Sequence, residues 1–320
     1  MPKILDGKIV RDEIMAELKK KIESFKVVPT LAIIKIGDNP DSDIYVRMKM
    51  NFAKKIGVNA YIVDLVTSRL NLDVKNKEIT QAELLAGVEK LNQDKNVHGI
   101  IIQSPVPAPL NWLEAVEKIT PEKDVDGVCS ANKKNLSENN DQGIIPATAR
   151  GVLSLLKYYN IPVTGKKLVV MGRSALVGNP VAILMKNNGA EVTVVHSQTE
   201  NSDKITREAD ILIVAIGKPE LVGADYIKKG AVVVDIGITS LNRPISHHLP
   251  NFNRPRHQND TPSSSDEGVR LKPTATVVGD VDFESVKDIV SAISPVPGGV
   301  GPMTVASLFQ NLVESCERQV

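Results

Sequence analysis

The amino-acid sequence predicts an α/β protein built from two tandem α/β domains, the second a Rossmann-like doubly wound parallel sheet. Three observations carry this expectation. Short β-branched runs, apolar on both faces, recur at Thr30–Ile36, Val58–Leu65, Val97–Gln103, Lys167–Met171, Glu191–His196, Ile211–Ile216 and Ala231–Ile236. Strands of that kind belong to parallel sheets covered by helices. Helical patterns stand between them, at Ser42–Ile56, Asn111–Ile119, Ala149–Asn160 and Val177–Asn188, and the box Thr80-x-x-Glu83 opens one more, AELLAGVEKLNQ. The length, 320 residues, favours two domains over one, and the polar loop after NLSENNDQG places the division near Pro146.

Composition narrows the function classes. Lys+Arg number 39 and Asp+Glu 38, so the balance offers no generic attraction to nucleic acid or to a membrane surface. Aromatic residues are only 3%, which argues against a single-strand binder that works by base stacking. Cys129 and Cys316 form no CxxC pair and read as free thiols of a reducing, cytoplasmic compartment. The N-terminal stretch MPKILDGKIVRDEIM has no long apolar core, and no window reaches transmembrane length. Residues 241–275 hold five prolines and a serine triplet without any period. The segment is too long for an ordinary connection and reads as a mobile surface insertion. Its histidines, His247, His248 and His257, read as solvated residues, and no metal is expected.

In the second half, KLVVM-Gly172-Arg173-Ser174-Ala-Leu-Val177-Gly178-Asn-Pro180 is a strand, a glycine turn and a helix start. Such a turn aims backbone N–H groups and a helix N-terminus at a phosphate. Serine replaces the middle glycine of the dinucleotide fingerprint, so an ordinary strand-to-helix turn is also compatible. The next strand ends in His196-Ser197 with no carboxylate to hold ribose hydroxyls. A 2′-phosphate would meet no repulsion there, and Arg173 and Ser197 are placed to bind it, so NADP is favoured over NAD. Gly217 and Gly237 fall at further strand ends, where such a sheet presents its ligand crevice or simply turns.

In the first half, Tyr45 and Lys49 stand at i and i+4 on one helical face. A lysine beside a ring in a partly apolar cleft loses its proton more easily and can serve as a base. The same spacing also fits a solvated lysine over a packed tyrosine. Gln103 closes a buried strand at the edge of a crevice. Asp124 and Asp126 share a tight turn, either as turn-forming acids or as a carboxylate for a heterocycle with adjacent N–H donors.

The motifs Tyr45-x-x-x-Lys49, HGIIIQ-x-P-x-P, Lys123-Asp-Val-Asp126-Gly, Gly172-Arg-Ser-x-x-Val-Gly-x-Pro180, Gly279-Asp-Val-Asp282-Phe and Pro295-Val-Pro-Gly-Gly-Val-Gly-Pro-Met-Thr304 occur in this order. Together they resemble the bifunctional methylenetetrahydrofolate dehydrogenase/methenyltetrahydrofolate cyclohydrolase family, over nearly the whole chain except 241–275. The resemblance implies a folate-binding catalytic domain of residues 1–146 plus 295–320 and an NADP-binding domain of 147–294, with the last helix returning to the first domain. It implies that Lys49 is the central catalytic residue, that Tyr45 stacks on the aminobenzoyl group, that Gln103 tunes Lys49, and that Asp126 holds the pterin. Pro297, Gly298 and Gly299 would approach the folate with backbone alone. Gly172, Arg173, Ser174, Val177, Gly178, His196, Ser197, Gly217, Gly237, Ile238 and Thr304 would bind NADP. The implied chemistry is hydride transfer from 5,10-methylenetetrahydrofolate to NADP+, then hydrolysis of the methenyl cation to 10-formyltetrahydrofolate, in a homodimer with no nucleic-acid or membrane partner.

The sequence departs from the family pattern at the domain junction, which reads Pro146-Ala-Thr148-Ala149 where Pro-Cys-Thr-Pro is usual; Thr148 is the expected helix N-cap. Gln198 replaces a common lysine, which predicts weaker NADP affinity. Two rival readings stay open: an NAD-dependent dehydrogenase without hydrolase activity, and a non-catalytic scaffold that keeps the fold. The retained Lys49, Gln103 and Asp126 count against both.

Overall fold

A computed structural model describes residues 1–63, 65, 79–241 and 276–320. The insertion expected at 241–275 lies outside the described residues except for Leu241.

The chain starts with β1 (Lys3–Ile4) and then α1 (Gly7–Ile22), which buries Val10, Ile14, Leu18 and Ile22. That four-residue spacing puts the buried side chains on one stripe. The Asp6 carboxylate accepts from the Lys8 N–H and starts the helix. The sequence reading assigned no element here. A three-stranded parallel sheet follows, built from β2 (Thr30–Ile34), β3 (Asn59–Val63) and β4 (Gly99–Ile102) in the order β3-β2-β4. All five residues of β2 are buried, as the apolar run required. Helix α2 (Pro40–Ile56) joins β2 to β3, and α3 (Gln81–Gln93) leads to β4. The Thr80–Glu83 capping box forms as predicted, with both reciprocal hydrogen bonds present. The short helices α4 (Trp112–Glu117) and α5 (Ser130–Ser137) complete this unit, and only the first was expected.

Helix α6 (Ala147–Tyr158) leads into the second sheet. Here a prediction fails: Thr148 is inside the helix and does not cap it. The helix begins two residues earlier than expected, Pro146 occupies the cap position, and the Ala147 N–H is satisfied by the Asp126 carbonyl at 3.1 Å. Strand β5 (Lys167–Met171), α7 (Gly178–Asn187), β6 (Glu191–Val195), α8 (Ser202–Thr206), β7 (Ile211–Val214) and β8 (Val232–Asp235) then alternate. A short antiparallel ribbon of β9 (Thr239–Leu241) and β10 (Thr276–Val278) sets Leu241 opposite Thr276. Helix α9 (Phe283–Val286), β11 (Ala292–Ile293) and α10 (Val300–Gln319) end the chain.

The second sheet is six-stranded and parallel throughout, in the order β1-β11-β8-β7-β5-β6. Strand order reverses at β5, whose neighbours are β6 on one side and β7 on the other. Ligands of such sheets bind at that reversal, beyond the carboxyl ends of the strands. Several strands stop one or two residues short of the predicted ends. The reason is visible at β7: the Ile216 and Gly217 N–H groups leave the ladder and donate to the Asp280 carboxylate at 2.7 and 2.9 Å.

Helix α10 returns to the first unit and locks the two sheets together. It is buried along most of its length, including Phe309, which stacks on Phe52 of α2 with ring centroids 4.7 Å apart. The Asn311 side-chain amide donates to the carbonyls of Val125 and Ile145 at 2.8 and 2.9 Å. Replacing a fully buried phenylalanine such as Phe309 by alanine costs about 3–5 kcal/mol.

Candidate active site

A cleft of about 380 Å³ opens between the two sheets. Its walls come from α1, the first turns of α2, the turn after β8, and the segment Pro295–Pro302 that leads into α10. Tyr45, Pro297, Gly298, Gly299, Gly237 and Ile238, from separate parts of the predicted site, all line it.

One helical turn beyond Tyr45, Lys49 is only 8% exposed. Its ammonium donates to Gln103 Oε1 at 2.8 Å. Gln103 is equally buried, follows the end of β4, and is fixed by its own amide, which donates to the Ser104 carbonyl at 2.9 Å. Burial lowers the Lys49 pKa, and the nearby charge of Asp126 partly opposes that shift. The solvated-lysine alternative is therefore not what the chain forms.

The two acids of the Asp124–Asp126 turn divide the work. Asp124 holds the turn: its carboxylate accepts from the N–H groups of Gly127 and Cys129 at 3.1 and 2.8 Å and from the Asn132 amide at 3.0 Å. Asp126 accepts no side-chain hydrogen bond among the described residues. Burial pushes its carboxyl up, against the pull of Lys49. An acid and a lysine, both held towards their neutral forms by burial, can exchange a proton at modest cost.

On the second sheet, the turn after β5 is built from backbone. Gly172 has φ +114°, and a Cβ there would overlap the Ala215 carbonyl. A Cβ on Gly178 would overlap the carbonyl of Gly172. Only glycine permits this approach. Ser174 Oγ accepts from the Val177 and Gly178 N–H groups, both at 3.2 Å, and so closes the first turn of α7 in place of a middle glycine. Arg173 is exposed and donates to Gln198 Oε1 at 3.2 Å. The end of β6 carries His196, whose Nδ1 accepts from the Gln198 N–H at 3.3 Å, and the exposed Ser197; no carboxylate stands there. Gly217 has φ +65° with open space where a Cβ would be. This donor set fits a dinucleotide with a 2′-phosphate: the glycines would clear the path for a pyrophosphate, and Arg173 would offer the 2′-phosphate a cation. Thr304, in the first turn of α10, donates to the Val300 carbonyl at 3.3 Å and lies 3.4 Å from Thr148 Oγ1.

Sequence reasoning missed two parts of this arrangement. The first is a pair of buried acids beneath the cleft. Asp235 accepts from the N–H groups of Gly237, Asp280 and Val281 at 2.8, 3.1 and 2.9 Å, while Asp280 holds Ile216 and Gly217. Burial pushes the Asp235 carboxyl up to about 7. The second is Lys8 and Arg11, which line the cleft from α1. A signal existed for the first pair in Asp235-Ile-Gly237 and Gly279-Asp-Val; none existed for the second without α1. A larger depression of about 470 Å³, lined by Arg150, Lys157 and Glu314, holds none of the predicted site residues.

The pattern recurs in known proteins. Residues 5–126 match the family described as tetrahydrofolate dehydrogenase/cyclohydrolase, catalytic domain, and residues 146–320 match its NAD(P)-binding domain. The bifunctional protein FolD of Chlorobium phaeobacteroides is 42% identical over 98% of this chain and 97% of its own length. The cytoplasmic C-1-tetrahydrofolate synthase of Schizosaccharomyces pombe is 40% identical over 99% of this chain, which spans 31% of that longer protein. Among solved structures, the Trypanosoma brucei N5,N10-methylenetetrahydrofolate dehydrogenase-cyclohydrolase, complexed with NADP cofactor and inhibitor, superimposes with a TM-score of 0.82 at 33% identity, covering 99% of each chain. With both domains matched and the Chlorobium phaeobacteroides relative similar along nearly its full length, the chain belongs to the tetrahydrofolate dehydrogenase/cyclohydrolase family.

Proposed function

We propose that this protein oxidises 5,10-methylenetetrahydrofolate to the methenyl cation with NADP+ and then hydrolyses that cation to 10-formyltetrahydrofolate in the same cleft. The observation that carries the reading is the buried Lys49, held at 2.8 Å by Gln103 and acted on by Asp126, beside a cleft that Tyr45 and Pro297–Gly299 line.

In this reading the Asp126 carboxyl, left free by Asp124, pairs with the pterin. Tyr45 stacks on the aminobenzoyl ring. The glycines of Pro297–Gly299 let backbone approach the reacting carbon. NADP+, when bound, supplies the hydride acceptor. The turn Gly172–Gly178 and Thr304 position the dinucleotide, with Val177, His196, Gly217, Gly237 and Ile238 along its length. Arg173 and Ser197 hold the 2′-phosphate. This first step needs chiefly positioning.

The second step needs proton handling. Water adds to the cationic carbon, the bond from that carbon to N5 breaks, and a net proton is released. Lys49 in its neutral form takes the proton from the attacking water and returns one to the departing nitrogen. Gln103 orients the amine for both transfers. The proposal takes residues 1–146 plus 295–320 as the folate domain, with Lys3–Ile4 lent to the other sheet, and 147–294 as the nucleotide domain. A homodimer working in the cytoplasm completes it.

An absorbance assay tests the reading. The protein is mixed with 5,10-methylenetetrahydrofolate and either NADP+ or NAD+, and reduced cofactor and methenyl product are followed separately. Reduced NADP without accumulating methenyl compound is expected. Accumulation of the methenyl compound, or a preference for NAD, would replace the reading with a dehydrogenase alone. No turnover with either cofactor would remove the enzyme reading.

A further inference from the structure

Asp280 is fully buried and tied to the turns at the carboxyl ends of both β7 and β8. Its Oδ2 accepts from the Ile216 and Gly217 N–H groups at 2.7 and 2.9 Å. Its own N–H donates to Asp235 Oδ1 at 3.1 Å, and that oxygen also takes the Gly237 N–H at 2.8 Å. Asp235 thus spends both oxygens on backbone donors, the second on Val281 at 2.9 Å. Asp280 does not: its Oδ1 is buried and meets no hydrogen-bond donor among the described residues. This oxygen lies behind Gly237, where a Cβ would sit 2.5 Å from it. No lysine or arginine pairs with the Asp280 carboxylate among the described residues. Its charge is felt next door, since the Asp235 carboxyl is pushed up to about 7 by burial and, in part, by Asp280.

We infer that Asp280 makes the nicotinamide site prefer the oxidised, positively charged ring of NADP+ over the neutral ring of NADPH. The inference rests on the function proposed above. With the pyrophosphate at the turn after β5 and the 2′-phosphate at the end of β6, the rest of the dinucleotide extends the other way, over β7 and then β8. Strand β8 is two spacings from β5, about 10 Å. The turn that follows it, Gly237–Ile238, is a wall of the cleft that Tyr45 and Pro297–Gly299 also line. Hydride transfer requires the nicotinamide to meet the folate at that wall. The ring then lies against Gly237, and the unpartnered oxygen of Asp280 stands behind the glycine backbone.

Away from water, such a charge acts strongly on a cation nearby and hardly at all on a neutral ring. Asp280 can therefore separate the two forms of the cofactor without touching either. An acid that only held the turns in place would treat both forms alike. Asp280→Asn distinguishes the two roles. The amide oxygen can take the Ile216 and Gly217 N–H groups, and the NH2 replaces the oxygen that has no donor, so shape is kept and charge is removed.

The test is calorimetric titration of wild type and Asp280→Asn with NADP+ and with NADPH, in the absence of folate. Wild type should bind NADP+ more tightly than NADPH. In the variant the Kd for NADP+ should rise about tenfold, while that for NADPH stays within about twofold of wild type. An equal loss for both forms, or no change in either, would overturn the inference and leave Asp280 a residue that only holds the turns. Tighter binding of NADPH by wild type would overturn it even if the variant does not fold. Failure of wild type to bind either NADP+ or NADPH would instead overturn the proposed function on which the inference rests.

Discussion

Lys49 on α2 and Arg173 after β5 are basic residues of the two halves of the chain, and their surroundings could hardly differ more. Lys49 is 8% exposed, hydrogen-bonded to a buried glutamine, and its pKa is lowered by burial. Arg173 is exposed, and among the described residues its hydrogen-bonding partner is a surface glutamine. The candidate site in the first half is thus built from buried side chains whose proton affinity is set by what encloses them. The nucleotide side is built from backbone, with glycines making room and a charge that no environment removes. The first arrangement suits chemistry that moves protons. The second suits recognition of a fixed anion.

Four substitutions sharpen or break that contrast, from the largest expected effect to the smallest. Lys49→Ala should lower the cyclohydrolase rate by about 10³-fold, the range of a lost general base. Because burial lowers the Lys49 pKa, the acid limb of the wild-type rate profile should fall below the ordinary lysine value of 10.5, the rate rising as the amine deprotonates. Full activity in the variant would take Lys49 out of the mechanism.

Gly172→Ala should lower the unfolding free energy by about 3 kcal/mol, since alanine is strained at φ +114° and would overlap a carbonyl. Urea unfolding measures this. A neutral result would mean that the turn after β5 is looser than its geometry requires.

Arg173→Ala should raise the KM for NADP+ about tenfold and leave that for NAD+ little changed, because a charge pair with the 2′-phosphate is lost in one case only. Equal effects on both cofactors would remove the 2′-phosphate role.

Asp235→Asn should change the pH dependence of stability. In the folded protein the Asp235 carboxyl is pushed up to about 7 from an ordinary 3.8. A raised value means that the folded state holds the proton more tightly. That contribution is complete below 3.8 and is lost as pH rises through about 7. Wild-type stability from this group therefore falls as pH rises from 3.8 to about 7. The asparagine variant should lose that slope and, lacking one acceptor for backbone N–H groups, about 1 kcal/mol throughout. Urea midpoints at the two pH values decide it; an unchanged slope would assign the titration to another group.

The comparison also explains what was readable in advance. Glycine turns declare themselves, because the residue type is itself the conformational requirement: Gly172, Gly178 and Gly217 were placed from sequence, and the backbone at each demands or exploits glycine. The apolar runs of β2, β4 and β7 were equally plain, since burial on both faces leaves no polar alternation. Helix α1 was not assigned, although its stripe of Val10, Ile14, Leu18 and Ile22 against a charged face is the pattern of an amphipathic helix and was open to reading. Thr148 was misplaced for a different reason: a carbonyl from a distant turn, at Asp126, satisfies the helix start that a local cap was expected to serve.

By itself, then, the sequence determined the succession of strands and helices, the glycine turns and the residues able to do chemistry, because each depends on local pattern and residue type. Only the tertiary structure decided which of those residues work together. Nothing local separates Asp124 from Asp126; three donors folded around the first leave the second free. Nothing local shows that Lys49 is dry, or that Lys8, near the start of the chain, lies over Gly298, near its end. Burial and charge proximity are sums over neighbours distant in sequence, and those neighbours are fixed only when α10 closes the two sheets onto one another.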